Sequence, residues 1–269
     1  DGRMTRLRQD DSDRRRAAAL GPDHSEALAR GLQILAAFDA SHRAQTLSQV
    51  AAHVGLPRAT ARRALLTLVA LGYMEMEDRQ FRLTPRVLRL ASAYLTSNAV
   101  STLLQPACDR IAREVGESCS AAVLERDEVV MVARAVPAQL MPIGAGIGFR
   151  LPAYCSALGR VLLAALPEPA VAAYLARTPL TAITPHTLTR PAAIAAAIAT
   201  VRQAGFCLAD QEAEPGFRSI AVPIRRFDGS VIAALNIGAR AEAADVATMT
   251  GSFLDRLQEA AAELTGFLV

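Results

Sequence analysis

Apolar residues recur at helical spacing through the first third of the chain, and the breaks between the stripes carry as much information as the stripes. Between 47 and 54, Leu47, Val50, Ala51 and Val54 fall on one face behind Thr46, a residue type that favours a helix N-cap. Gly55 supplies the permissive backbone of a tight turn. Pro57 suits the first turn of a second helix, whose inner stripe is Ala61, Ala64, Leu65, Leu68 and Leu71. Small Ala51 and Ala61 let two such helices cross closely. Upstream, Ser25 can cap a helix from 26 to about 38, with Leu28, Leu32, Ile34 and Leu35 available to cover the pair. Downstream, short runs at 73–77 and 80–84 flank Asp78-Arg79 and predict a β-hairpin.

Helix, turn, helix and hairpin in that order describe a winged helix-turn-helix over residues 23–84. The polar side of the second helix carries Arg58, Thr60, Arg62 and Arg63 toward its N-terminal half, the part of a recognition helix that meets base edges and phosphates. Ser48 and Gln49 open the first helix on its polar side, and Arg82 on the return strand of the hairpin can reach the phosphate backbone. These seven residues form the candidate surface for double-stranded DNA. An incidental charged face on an amphipathic pair is the plainer alternative, and exposed hairpin arginines are often only solvated.

Beyond Thr84-Pro85 the pattern changes. Val87, Leu88, Leu90, Ala91, Tyr94 and Leu95 form an apolar stripe on a linking helix over 85–96, a stripe that needs a partner such as a second subunit. A longer helix from about 102 to 115 ends at Gly116 and opens a second domain over 97–269. Strands at 119–125 and 128–136 flank Arg126-Asp127 as a hairpin. Helices follow near 156–166, 168–176 and 191–204, strands near 206–210, 217–225 and 230–238, and a closing helix over about 245–267. The fold class is α+β: the winged helix followed by an α/β effector module.

Composition narrows the function. The chain has 269 residues, 52% of them hydrophobic, enough for one small and one medium core. No apolar run approaches the ~20 residues of a membrane span, so a cytoplasmic location is expected, without a membrane partner. Residues 1–22 mix arginine and aspartate with little apolar content and predict a disordered arm, where Arg14 to Arg16 can add nonspecific DNA affinity. Net charge is only +3, but residues 23–96 hold nine arginines against six acids, whereas 97–269 hold fourteen against sixteen. Every one of the 29 basic residues is arginine, which excludes Schiff-base, Walker-lysine and Ser-Lys chemistry. Cys108, Cys119, Cys155 and Cys207 form no C-x-x-C pair, and the four histidines show no metal-ligand spacing. Neither metal nor cofactor is expected. Two other readings stay open: an enzyme with a DNA-binding appendage, using Cys155 as nucleophile and His186 as base, and an architectural DNA protein whose supposed pocket is filled by side chains.

The chain resembles the isocitrate lyase regulator (IclR) family of bacterial transcription factors over about residues 24–268. The residues that carry the likeness are ARGLQIL at 29–35, the turn around Gly55 to Pro57, ALGY at 70–73, RLPAYCSALGRVLLA at 150–164, GFRSIAVPI at 216–224 and AALN at 233–236. The last three segments look most like the branch that regulates protocatechuate, 4-hydroxybenzoate and β-ketoadipate catabolism. The resemblance implies homodimers or dimers of dimers on a palindromic operator, with a small organic acid in a GAF-like C-terminal domain.

By that likeness, backbone N–H groups at Ala157 and Leu158 match the family's ligand-contacting turn, at the positive end of the helix they open. Strand alternation puts Phe217 and Ser219 on one face with Arg218 on the other, and groups Ala234, Asn236 and Gly238. Ser219 and Asn236 are the expected polar contacts, Leu140, Ile143, Leu151 and Phe217 the apolar walls, with Gly238 beside them. Asp210 stands where relatives often carry paired acids, but Ala209 precedes it here. Many relatives also carry cysteine at Ser219 and serine at Asn236. Arg134, Arg150 and Arg160 are candidates to neutralise a second carboxylate, or to form surface or dimer salt bridges. The plainer roles are a helix cap for Ser156, strand-backbone satisfaction for Asn236, and core for the leucines.

Overall fold

The computed structural model describes residues 23–39, 41–97, 99–137 and 146–267. Leu140 and Ile143 lie outside them. The chain divides into two compact units between Ala93 and Tyr94.

In the first unit, α1 (Glu26–Ala36) is capped by Ser25, whose side chain accepts from the Leu28 N–H. Thr46 closes a full capping box on α2 (Leu47–His53). Its backbone N–H donates to the Gln49 side chain at 2.8 Å, and the Gln49 N–H donates back to its hydroxyl at 3.4 Å. Gly55, at φ 65°, turns the chain into α3 (Arg58–Ala70), and Pro57 precedes the first turn. Ile34, Val50, Ala51, Ala61, Leu65 and Leu68 meet in one core with Met74 and Phe81. Two stripe assignments fail. Leu71 is exposed because α3 ends at Ala70 and Gly72, at φ 77°, redirects the backbone. Leu28 and Leu32 are exposed too, because only Ile34 and Leu35 of α1 reach the core.

The wing follows directly. Strands β2 (Met74–Glu77) and β3 (Gln80–Leu83) pair antiparallel across Asp78 and Arg79, both at positive φ, the backbone of a two-residue hairpin turn that matches strand twist. A two-residue strand, β1 (Gln45–Thr46), adds to β3. Its brevity left no periodic signal in the sequence. A 3-10 turn (Pro85–Val87) leads into α4 (Leu88–Ser97), where Leu88, Leu90 and Tyr94 are exposed.

The second unit is a six-stranded antiparallel sheet in the order β6-β5-β4-β9-β8-β7. It comprises β4 (Ser118–Glu125), β5 (Glu128–Ala135), β6 (Arg150–Pro152), β7 (Cys207–Asp210), β8 (Phe217–Arg225) and β9 (Val231–Arg240). Helices α5 (Ala99–Val115) and α9 (Leu254–Thr265) cover one face, against Ile220, Val222, Leu235 and Ile237. The other face carries small residues, Ala122, Ala209, Ala221 and Ala234, and lies under α6 (Ala157–Ala164), α7 (Glu168–Arg177) and α8 (Pro191–Ala204). Period-two alternation in β8 and β9 thus sends Ile220, Val222, Leu235 and Ile237 to one layer and Ala221 and Ala234 to the other. The closing helix is not continuous: a π-type turn over Met249–Phe253 breaks it, with Gly251 at φ −101°, ψ −108°.

Candidate functional site

The winged-helix unit presents most of its candidate DNA contacts to solvent. Ser48 and Gln49 are exposed at the start of α2, and Arg58, Arg62 and Arg63 are exposed on α3, with Thr60 half-buried between them. Gln49 spends its side-chain oxygen on the cap, which leaves its amide N–H groups to face outward. Arg82 is exposed on β3 and pairs with Glu77 at 3.2 Å, a contact that solvent weakens.

In the second unit, the face of the sheet under α6 leaves a cavity of about 290 Å³ beneath the start of that helix, near the lower end of the usual range for small-ligand sites. A filled interior, as an architectural protein would have, is therefore not what this domain shows. The strand register sets the floor: Ser219 of β8 lies opposite Gly238 of β9, which lies opposite Ser118 of β4. One step along, Ala221, Asn236, Ser120 and Arg134 run across four strands. A bulge at Ala121/Ala122 lets Met131 and Arg134 of β5 share the cavity face, although their spacing would put them on opposite sides of a regular strand. Gly238 is obligatory in this arrangement, since a Cβ there would come within 2.5 Å of the Phe217 ring.

A polar seam crosses this floor. Asn236 accepts from the Ser120 backbone N–H at 3.1 Å and donates through Nδ2 to Ser219 Oγ at 2.7 Å. Ser219 therefore keeps its hydroxyl proton for another acceptor. Ser120 Oγ accepts from Arg134 Nη1 at 3.2 Å. Gln105 of α5 clamps the Arg134 backbone twice, donating to its carbonyl at 2.9 Å and accepting from its N–H at 3.0 Å.

The roof begins at Ser156, whose Oγ accepts from the Gly159 N–H at 3.1 Å. The first intrahelical bond of α6 runs from Arg160 N–H to the Ser156 carbonyl, so the Ala157 and Leu158 N–H groups have no partner within the helix. Both residues line the cavity. Gly159 permits this close entry, because a Cβ would sit 2.2 Å from the Ala153 carbonyl oxygen. Behind the turn, Arg160 and Glu212 form a buried bidentate ion pair with both arms at 2.5 Å, and Arg160 Nε also donates to the Tyr154 carbonyl. Burial opposes the Arg160 charge, but the Glu212 carboxylate outweighs it and raises the arginine's pKa.

Leu151, Ala157, Leu158, Phe217, Ser219, Asn236 and Gly238 meet around this one cavity. Asp210 does not join them. Period two turns its side chain to the far face of β7, where Arg218 Nε holds it at 2.7 Å and donates also to the Ala241 and Ala244 carbonyls through Nη1. Nor are Arg150 and Arg160 available as anion receivers: Arg150 pairs with Glu125 and Glu128, and Arg160 with Glu212. Sequence reasoning did not single out Ser118, Ser120, Met131, Phe149 and Glu212. The alternation of Ser118 and Ser120 could have flagged β4, but the bulge that admits Met131 leaves no periodic mark.

The thiol reading finds no support in the geometry. Cys155 is fully buried, and burial pushes its thiol up to about 11, away from the thiolate a nucleophile needs. His186, its supposed base, is exposed. Among the described residues, no His/Cys/Asp/Glu group is arranged to hold a metal, and no helix is long and apolar enough to cross a membrane.

A winged helix with exposed arginines, followed by a domain built around a ligand-sized cavity, defines a DNA-binding regulator with a small-molecule module. The IclR helix-turn-helix model matches residues 27–78, and the bacterial transcriptional regulator IclR C-terminal model matches residues 92–265. This chain belongs to the IclR family of bacterial transcriptional regulators. It is 42% identical over 217 residues to the Pca regulon regulatory protein of Pseudomonas putida, across 80% of this chain and 75% of that protein. With the p-hydroxybenzoate hydroxylase transcriptional activator of Acinetobacter baylyi it shares 36% identity over 219 residues, covering 80% and 81%. A solved IclR homolog from Microbacterium hydrocarbonoxydans, complexed with 4-hydroxybenzoate, superposes with a TM-score of 0.76 at 32% identity over 90% of this chain and 99% of that one.

Proposed function

We propose that this protein controls genes for the catabolism of aromatic or dicarboxylic acids, and that a small organic acid in the C-terminal cavity sets its affinity for DNA. The observation that carries this reading is the convergence of two unspent donor sets on one cavity: the Ala157 and Leu158 N–H groups and the Ser219 hydroxyl. A carboxylate between them receives charge-assisted hydrogen bonds at the positive end of α6. Asn236 acts behind Ser219, fixing its oxygen so that the proton points away. Leu151, Phe217 and Gly238 shape the apolar wall. The names of the two curated relatives support the catabolic assignment, and the 4-hydroxybenzoate in the solved homolog supports the ligand class.

On the DNA side, Arg58, Thr60, Arg62 and Arg63 enter the major groove, while Ser48, Gln49 and Arg82 touch the flanking backbone. The protein works in the cytoplasm as a homodimer or dimer of dimers on a palindromic operator, and the exposed Leu28, Leu32, Leu88 and Leu90 supply apolar surface for such a partner. Ligand binding shifts DNA affinity by its differential affinity for two placements of the winged helices, connected through α4. The test is a thermal shift of the full chain with 4-hydroxybenzoate, protocatechuate and adipate, followed by gel shifts on its own promoter region. A stabilising acid that also changes the DNA midpoint is the expected result. Stabilisation by none of them overturns the acid-effector assignment.

A further inference from the structure

Three arginines stand near the cavity's anion-binding end or its rim, and two are already neutralised. Arg160 is locked on Glu212, and Arg240 pairs with Glu214 at 3.3 Å. Arg134 differs. Among the described residues it has no carboxylate within ion-pair distance, and its Nε is buried without a hydrogen-bond partner. Nη1 is spent on Ser120 Oγ, with Met131 Sδ at 3.1 Å. The Nε–H and Nη2–H edge, the one that grips carboxylates two-point, is the edge left over. Burial lowers the pKa of Arg134, and the more distant Glu214 only partly offsets that. The fold nonetheless holds this under-solvated cation in place, through Gln105 on its backbone and Ser120 on its head. The lining acids do not take it up: Glu212 and Glu214 have their own arginines, and Glu117 is not within ion-pair distance of it.

We propose that Arg134 receives a second acidic group of the effector, so that the cavity selects a diacid over the matched monoacid. This rests on the reading that the first carboxylate sits at the Ala157-Leu158 turn. An unpaired buried donor is costly, and a carboxylate that supplies both its missing acceptor and its counter-charge gains more than a neutral group at the same place.

The experiment is calorimetric titration of the full chain with two matched pairs: adipate against hexanoate, and terephthalate against 4-hydroxybenzoate. At least one diacid is expected to bind ~10-fold or more tightly than its monoacid partner. R134Q removes that preference while leaving monoacid affinity within about twofold, and R134K restores part of it. The wild-type ratio needs no variant, so a misfolded R134Q does not blur the answer. Monoacids that bind as tightly as both diacids overturn the proposal, as does an R134Q that weakens both members of a pair equally. In either case the monoacid still binds, and the acid-effector reading stands. Binding by none of the four acids overturns that reading and this proposal together.

Discussion

Asn236 and Ser219 meet across neighbouring strands with Nδ2 2.7 Å from Oγ, and the other end of the same amide holds the Ser120 backbone N–H. One side chain thus joins β4, β9 and β8 at the cavity floor. It converts Ser219 from a hydroxyl that could point anywhere into one that accepts from the protein and donates to the cavity.

Ser219→Ala is expected to weaken binding of the effector acid ~10-fold or more, the usual loss for a hydrogen bond to a charged group, at a smaller cost in stability than Asn236→Ala, since the Asn236 Nδ2–H loses its acceptor beside the open cavity. Asn236→Ala weakens the acid as well and also destabilises the fold by ~1–3 kcal/mol, because the buried Ser120 N–H loses its acceptor. Titration calorimetry paired with denaturant unfolding separates the two effects. Equal stability loss in both variants would contradict the division of labour.

The Arg160-Glu212 pair is a structural strut. Glu212→Gln leaves a guanidinium that is only 3% exposed without its counter-charge, and a cost of ~3–5 kcal/mol is expected in urea unfolding. The double replacement Arg160→Met/Glu212→Leu should recover most of this, since a buried pair adds little over packed hydrocarbon.

Gly238→Ala drives a methyl group into the Phe217 ring. The ring lines the cavity and must shift, so a stability loss of ~1–3 kcal/mol is expected along with loss of the ligand-induced thermal shift. An alanine variant that keeps its thermal shift would show that Phe217 does not form the wall.

Arg62→Ala, measured by anisotropy on a labelled duplex across a salt series, should weaken binding and flatten the log K against log salt slope by about 1 if its contact is to phosphate. An unchanged slope together with altered sequence preference would move Arg62 to a base edge.

Glu117 is raised by burial, which sets the sign of a pH effect. The folded state holds the proton more tightly than the unfolded chain does. Stability is therefore fully present below the unfolded carboxyl pKa and is lost as pH rises through the folded one. Glu117→Gln should raise the melting temperature by ~1–2 °C at pH 7 and leave it unchanged near pH 4.

The order of elements was legible along the chain because local rules govern it. Thr46 and Gln49 form their capping box within one turn, Asp78-Arg79 joins two short runs into a hairpin of neighbouring residues, and the alternation of β8 separates Ser219 from Arg218 whatever lies on either side. Arginine on the polar face of α3 and the alanine-bearing segments of the effector domain were visible for the same reason. The tertiary structure decided what depends on distant partners. Asp210 looks available in sequence, and only pairing with Arg218 shows that it turns away. Three arginines looked equivalent until Glu212, and the pair Glu125 and Glu128, claimed two of them. Leu28 and Leu32 share their helical spacing with the half-buried Leu35, but a helix packs only the arc its neighbours reach. The bulge at Ala121/Ala122 brings Met131 and Arg134 to one face, and no spacing rule encodes it because a bulge arises from the register between two strands. Periodicity states which residues share a face; packing and charge pairing state which of those faces is spent and which remains free to bind.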